Sequence, residues 1–462
     1  MTKALQMQAV NGMGWQGLIA SLLLGVAVVI AQDAPPIPQQ LILQEELEAD
    51  AVFEVDLNLE LKGEFKLNTP KGVEKIPTEA KGQHHYAERI LGLGETPFIT
   101  GPSRMARHYD KAQATIIAAG DKTERSLRDT RRSFLLQRSR EELLALSPEG
   151  PLTGAELELT SDQFDTMALP GMLPGNKPKP GDSWKLNNAT VQLLCHFEGL
   201  IEQDLKGTLD KVDGETAKFR IAGKASGIDQ GAQVKATIEA TGTFDTKTRT
   251  ITGLIWKQAE VREAGPVNPS GTLTSTVTMT RKRINTPDSL SDKALEGFPP
   301  DKEEIPTHLK AIEHRDTKGR YELVHGREWQ VVAETEDHLV LRLLDKGDFI
   351  AQAVVTPWDK APKGKHLSPE DFRAAMSKTP GWQPEKELLA DELPGTDGRY
   401  IYRIAMQGKM DGTEVVQHYF LVAAPTGEQA VVTFSMTPRL VEKLGARDLN
   451  LVGGLLVPAG AP

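Results

Sequence analysis

Apolar and polar residues alternate along most of this chain, and a period of two predicts strands. Val52, Val55, Leu57, Leu59 and Leu61 form the first such run, with a turn expected at Lys62-Gly63. Met105–Ala118 is a second, closed by a turn at Gly120-Asp121. From Ala189 to Ile284 the pattern reads as a meander of long strands. Its turns are expected at Lys211–Glu215, Gly227–Gly231, Phe244–Lys247 and Ala264–Gly271. The Thr and Val density of Thr272–Thr280 suits a pleated, half-buried surface. Two short helical pieces are expected among these strands, Ser139–Leu146 and Ser161–Leu169, the second with Ser161 as its cap. Pro170–Asp182 is too rich in Pro and Gly for regular structure.

The pattern changes after Asn285–Pro306, a stretch without apolar period that centres on Pro299-Pro300. Strands are expected at Tyr321–Val324, Trp329–Ala333, Leu339–Leu344 and Phe349–Val355. Ser368-Pro369-Glu370-Asp371 opens a capped helix through Phe372, Ala375 and Met376. Four more strands follow at Lys386–Leu393, Arg399–Gln407, Glu414–Ala423 and Gln429–Ser435. An amphipathic helix is expected over Thr437–Leu456, interrupted near Gly445. The fold class expected is two-domain: an amino-terminal, mainly antiparallel β domain (a curved sheet or half-barrel), then a carboxy-terminal α+β domain. The boundaries expected are 46–285, a linker at 286–306 and 307–457, with a frayed tail at 458–462.

Before the first strand lies an apolar run from Leu18 to Ala31, broken only by Ser21 and Gly25 and preceded by Lys3. Gln32, Asp33, Pro35 and Pro36 end it. That order is a secretory signal, with cleavage expected between Ala31 and Gln32. The run is short of the roughly 20 apolar residues that a span requires, so a retained anchor is the lesser reading. A Pro/Gln tether over 32–45 follows, and nothing downstream is apolar enough to cross a membrane. The location expected is exported, periplasmic or extracellular.

Composition narrows the chemistry. The 462 residues carry a net charge of −10, which argues against nucleic-acid binding. A single cysteine, Cys195, makes no intrachain disulfide, and alternation groups it with Val191, Leu193 and Phe197 as a buried thiol. Arg125, Arg128, Arg131, Arg132, Arg138 and Arg140 cluster in sequence. Interleaved Glu124, Asp129, Glu141 and Glu142 make that stretch a solvated face in preference to an anion site.

The sequence has no His-Glu-x-x-His motif and no paired Cys-x-x-Cys motif. His84 and His85 are adjacent, so on a strand they face opposite ways and do not share an ion; His108 and Tyr109 lie further along the same region. Ala222–Gly227 has a phosphate-loop flavour but lacks the upstream glycine and the following helix. No cofactor and no catalytic residue is implied. Trp184, Trp256, Trp329, Trp358 and Trp382 suit packing better than a ligand groove.

Two resemblances add to this reading. Tyr321–Val324, Trp329, His418–Val422 and Gly427–Phe434, in their order and spacing, resemble the PsbP-like family, an α/β/α sandwich. That resemblance implies a binding or accessory role. Pro178-Lys179-Pro180-Gly181-Asp182-Ser183-Trp184 is similar to a step in exported bacterial β-meander domains of unknown function, and the architecture loosely resembles the unclosed barrels of LolA-type lipoprotein carriers. The function expected is a non-enzymatic envelope protein that binds a hydrophobic ligand or a protein partner. The alternatives are a hydrolase with a site assembled from dispersed carboxylates, and a structural envelope component.

Overall fold

The computed structural model describes residues 41–69, 72–94, 101–138, 143–161, 164–301 and 305–457. The expected signal, its Ala31–Gln32 boundary and the 458–462 tail lie outside them, as does Arg140.

The first half is one antiparallel sheet of thirteen strands. In chain order these are β1 (Val52–Thr69), β2 (Gly72–Leu93), β3 (Pro102–Ala118), β4 (Asp121–Ser126), β5 (Ser133–Arg138) and β6 (Leu143–Leu146). A two-residue strand elsewhere, β7 (Leu152–Thr153), interrupts the series. Then come β8 (Ser183–Lys185), β9 (Gly199–Gln203), β10 (Lys206–Asp213), β11 (Thr216–Asp229), β12 (Ala232–Asp245), β13 (Thr250–Arg262) and β14 (Ser270–Ile284). The spatial order is β6-β5-β3-β2-β1-β14-β13-β12-β11-β10-β8, with β4 beside β3 and β9 beside β11. The end strands do not pair with one another, so the barrel is not closed.

Alternation decides the faces. On β14 the threonines 272, 274, 276, 278 and 280 turn outward, while Val277, Met279 and Arg281 turn in. Inward residues of the neighbouring strands, among them Val55, Leu57, Tyr86, Tyr109, Trp256, Ile238 and Phe219, meet them in one core. Each such large side chain contributes about 1.5–3 kcal/mol when fully buried. The segment between β6 and β9 lays α1 (Gly154–Ser161), a 3-10 turn at Thr166–Met172 and α2 (Asn188–Leu194) against that core.

Four local expectations are corrected here. Gly63 is not a turn: β1 continues to Thr69, and Gly63 pairs with Leu273 and Thr78. A Cβ there would stand 2.1 Å from Thr272 O, so the glycine serves close strand approach. Leu143–Leu146, expected as helix, is strand β6, pairing with β5. Ser161 ends a helix instead of capping one; Asp165 is the cap, accepting from Met167 N at 3.0 Å. Finally, the stretch from Ala189 opens as helix α2, because the Asn187 side chain accepts from Thr190 N at 2.7 Å. Val191, Leu194 and Cys195 are therefore buried at helical spacing, and Leu193 is only partly buried against the same core.

The second half builds two smaller sheets. α3 (Thr307–Lys310) leads to β15 (Ile312–Arg315) and β16 (Glu322–His325). Then follow β17 (Trp329–Glu334), β18 (Leu339–Asp345), β19 (Asp348–Trp358), α4 (Pro369–Met376), β20 (Trp382–Leu393), β21 (Tyr400–Met410), β22 (Thr413–Ala423) and β23 (Gln429–Met436). The chain ends in α5 (Val441–Leu444), α6 (Arg447–Gly453) and β24 (Leu455–Leu456). Seven strands form the order β17-β18-β19-β23-β22-β21-β20. Helix α4, capped by Ser368 Oγ on Asp371 N at 3.1 Å, covers one face through Phe372 and Met376. Leu444, Leu451 and Val452 of α5 and α6 cover the other. The terminal helix does break at Gly445, where φ is 58°, but Leu455-Leu456 is strand.

Leu41–Pro462 falls into one compact unit by its contacts. The four-stranded sheet β24-β16-β15-β7 joins the halves, because β7 pairs in parallel with β15. Arg128 bridges Glu156 and Glu313 across the same seam. Two hairpin tips also touch: Gln230-Gly231 of the β11–β12 turn and Lys346-Gly347 of the β18–β19 turn, all with positive φ. A Cβ on Gly231 would lie 2.4 Å from Gly347 O. Leu290, in the proline-rich stretch between the halves, is buried against Val52, Ala87 and Ala106.

Candidate functional site

The inner face of the large sheet is not filled along its whole length. A cavity of about 580 Å³ opens where α2, β6 and the strands β1, β13 and β14 converge. Period two on β1 directs Leu59 and Leu61 into it, and the same rule brings Trp256, Leu273 and Val277. Leu143, Leu144, Leu157, Phe164 and Leu193 complete the apolar wall. Cys195 also lines it, and burial pushes its thiol up to about 12, far from a thiolate nucleophile.

One side of the cavity is polar by design of a single strand. Along β13, Trp256 Nε1 donates to Gln258 Oε1 at 3.0 Å, and Gln258 Nε2 donates to Glu260 Oε1 at 2.6 Å. Glu260 lies 3.8 Å from Arg262, which also pairs with Asp229. Across the cavity, Arg138 pairs with Asp165. These charges pair with one another, which offsets part of the cost of holding them beside an apolar wall.

The cavity adjoins a cleft of about 960 Å³ between the large sheet and the second half. Leu144, Glu198, Gln230 and Arg327 line both. Arg327 is fixed by donating Nε to Lys310 O at 3.0 Å and Nη2 to Ala145 O at 2.6 Å. Burial raises the Glu198 carboxyl, opposed by backbone N–H groups of Gly231 and Gln230 and reinforced by Asp229. Lys310, His325, Trp329 and Lys346 are further along its walls.

Deeper in the sheet is a sealed ion network. Arg281 Nη1 donates to Glu45 Oε1 at 2.9 Å, and Arg281 Nε lies 3.4 Å from Glu88 Oε1. Arg107 donates to Glu88 Oε2 at 3.2 Å and to Thr166 Oγ1 at 2.6 Å. Arg281 also stacks 3.7 Å from the Phe53 ring centre. Glu45 and Glu88 are the far-separated carboxylates that meet in space, but they meet with 0% side-chain exposure.

The residues singled out in the sequence distribute as follows. His84 and His85 face opposite ways: His84 is buried against Leu159 O at 2.8 Å, and His85 meets Asp56 at 2.8 Å outside. Among the described residues no three His, Cys, Asp or Glu side chains converge as metal ligands would. Ala222–Gly227 lies within β11. The arginine cluster does not form one face. Arg125 pairs with Glu158, Arg131 donates to Pro151 O at 3.0 Å, Arg132 pairs with Asp129, and Arg138 is buried instead of solvated. Trp184 donates to Met172 O at 2.9 Å, and Trp358 packs on Phe372; Trp256 and Trp329 line the cavity and the cleft. The leucines of the wall carried no signal beyond their period.

His84 gives a pH prediction. Burial pulls its imidazole down to about 4, opposed by the bond to Leu159 and aided by Arg107. The unfolded chain takes up the proton near pH 6.5, so His84 supplies its full stabilisation above that pH. That share, about 3 kcal/mol, is lost as the pH falls from 6.5 towards 4. Urea midpoints should drop across this window, and His84→Gln should flatten that part of the curve. An identical slope in the variant would contradict the assignment.

Among the described residues no helix is long and apolar enough to cross a membrane. No protein-family profile matches the chain, and no curated protein matches it. Solved structures do show likenesses. The cyanobacterial PsbP (CyanoP) of Synechocystis sp. PCC 6803 aligns over 32% of this chain and 93% of its own, at 16% identity and a TM-score of 0.26. Lipovitellin, in a structure concerned with lipid–protein interactions, aligns over 53% of this chain and 26% of its own, at 6% identity and a TM-score of 0.28. OccK5 (OpdH) of Pseudomonas aeruginosa aligns over 85% of this chain and 99% of its own, at 8% identity and a TM-score of 0.13.

Proposed function

We propose that this chain is an exported, non-enzymatic binding protein that holds an apolar small molecule on the inner face of its large sheet. The observation that carries the reading is the cavity of about 580 Å³ walled by Leu59, Leu61, Leu157, Phe164, Leu193 and Trp256. Protein interiors pack close to crystal density, so a volume used only for packing would be filled by side chains. This one falls in the size range of ligand sites, and its lining joins an apolar wall of leucines, Phe164 and Trp256 to a polar, charged side. Several of its polar groups are partnered with one another, as Gln258 with Glu260 and Arg138 with Asp165 are. Such a site grips by burial and shape.

The test is native mass spectrometry of the protein purified from its own host. The reading expects a bound mass that is released on denaturation and partitions into organic solvent. A bare protein that also fails to take up a neutral apolar probe such as N-phenyl-1-naphthylamine would refute it.

A further inference from the structure

We infer that the ligand is a single-chain amphiphile with an anionic head, its tail in the cavity and its head in the adjoining cleft beside Lys310 and Lys346. The inference rests on the proposed apolar binding and names the class of molecule bound.

The two volumes share part of their walls. Leu144 and Arg327 stand at their junction, lining both the cavity of about 580 Å³ and the cleft of about 960 Å³. A molecule extended through that junction has its two ends in different surroundings. At the cavity end Leu59, Leu61, Leu157, Phe164 and Trp256 form an apolar wall, which suits a hydrocarbon chain. At the cleft end stand two ammonium groups, one from the last residue of α3 and one from the β18–β19 turn.

The state of those lysines separates them from most cations nearby. Arg128, Arg138 and Arg262 each have a carboxylate partner. Neither Lys310 nor Lys346 has an ion pair among the described residues. The acids of the cleft do not serve them. Burial raises the Glu198 carboxyl, which accepts from backbone N–H groups. Glu328 folds back over Gly326, with Oε2 2.2 Å from where a Cβ on that glycine would stand. The turn that carries Lys346 packs on the facing hairpin, because Gly347 beside it rests against Gly231. Two unpaired ammonium groups in a cleft beside an apolar wall complement an anion. A carboxylate and a phosphate monoester share that chemistry.

Displacement of N-phenyl-1-naphthylamine from the full chain tests this with three ligands: palmitate, palmitoyl lysophosphatidic acid and neutral monopalmitoylglycerol. At least one anionic ligand should bind about tenfold more tightly than the neutral one. Lys310→Gln combined with Lys346→Gln should shrink that gap to about threefold or less while leaving monopalmitoylglycerol affinity unchanged. Lys346 is exposed and Lys310 half-buried, and matched thermal midpoints verify folding. The tighter of the two anionic ligands tells a carboxylate source from a phosphate source. Binding of the neutral ligand with no anionic preference, or a preference that survives in the variant, overturns the head assignment alone. Failure of all three ligands to displace the probe overturns the apolar-binding reading with it.

Discussion

Arg281→Met is expected to lower the unfolding free energy by about 3–5 kcal/mol. Arg281 is 3% exposed and sits between Glu45 and Glu88, whose side chains are fully buried. Methionine keeps the apolar stem and its packing near Phe53, but it strands two carboxylates away from water. Burial already raises the Glu45 carboxyl, and the Arg281 charge and the Ile251 N–H oppose that rise. Without the arginine at least one acid must take a proton to fold. The loss should therefore ease as pH falls, and Glu45→Gln added to Arg281→Met should recover part of it. Denaturant unfolding of the full chain measures both. A single-variant loss below about 1 kcal/mol would mean that water reaches the network.

Leu61→Arg should weaken ligand binding by at least about tenfold with little change in thermal stability. Leu61 is half-buried on β1, pairs with Ser275 and Ala80, and contributes to the cavity wall. An arginine there places a guanidinium where the apolar ligand lies, or blocks the mouth as it reaches for water. Thr274→Arg on the outward face of β14 is the matched control, because it adds the same group on the other side of the same sheet. Probe displacement on both variants reads the effect. Equal affinity in the two would remove Leu61 from the site.

How much of this was legible in the sequence differs by feature. The order of the second half was: each strand from Trp329 to Ser435 and the Ser368 cap stand where alternation and capping chemistry put them. The first half was legible as a meander, and its turn at Gln230-Gly231 falls in the expected window. Misreadings came where one residue outweighed a period. Asn187 nucleates α2 over a string that alternates well enough for strand, and Gly63 serves close strand approach where glycine ordinarily signals a turn.

The site was less legible. Period two assigns Leu59, Leu61 and Val277 to one face, but it is silent on whether that face is filled. Only three-dimensional packing separates a cavity wall from a core. The ion network did leave a trace. Glu88 follows Tyr86 and precedes Ile90 at inward parity, and Arg281 follows Met279 in the same way. A charge at an inward position calls for a buried partner, and that parity rule would have flagged both.

Brominated palmitate quenching of tryptophan fluorescence, compared between the unaltered chain and Trp256→Phe, tests the central claim most directly. Trp256 is 2% exposed to water and lines the cavity, whereas Trp184, Trp358 and Trp382 do not. A bromine-bearing chain in the cavity should quench a component that saturates with ligand and is absent from the variant. Quenching that is the same in both proteins, or that never saturates, would place the ligand elsewhere and contradict the account.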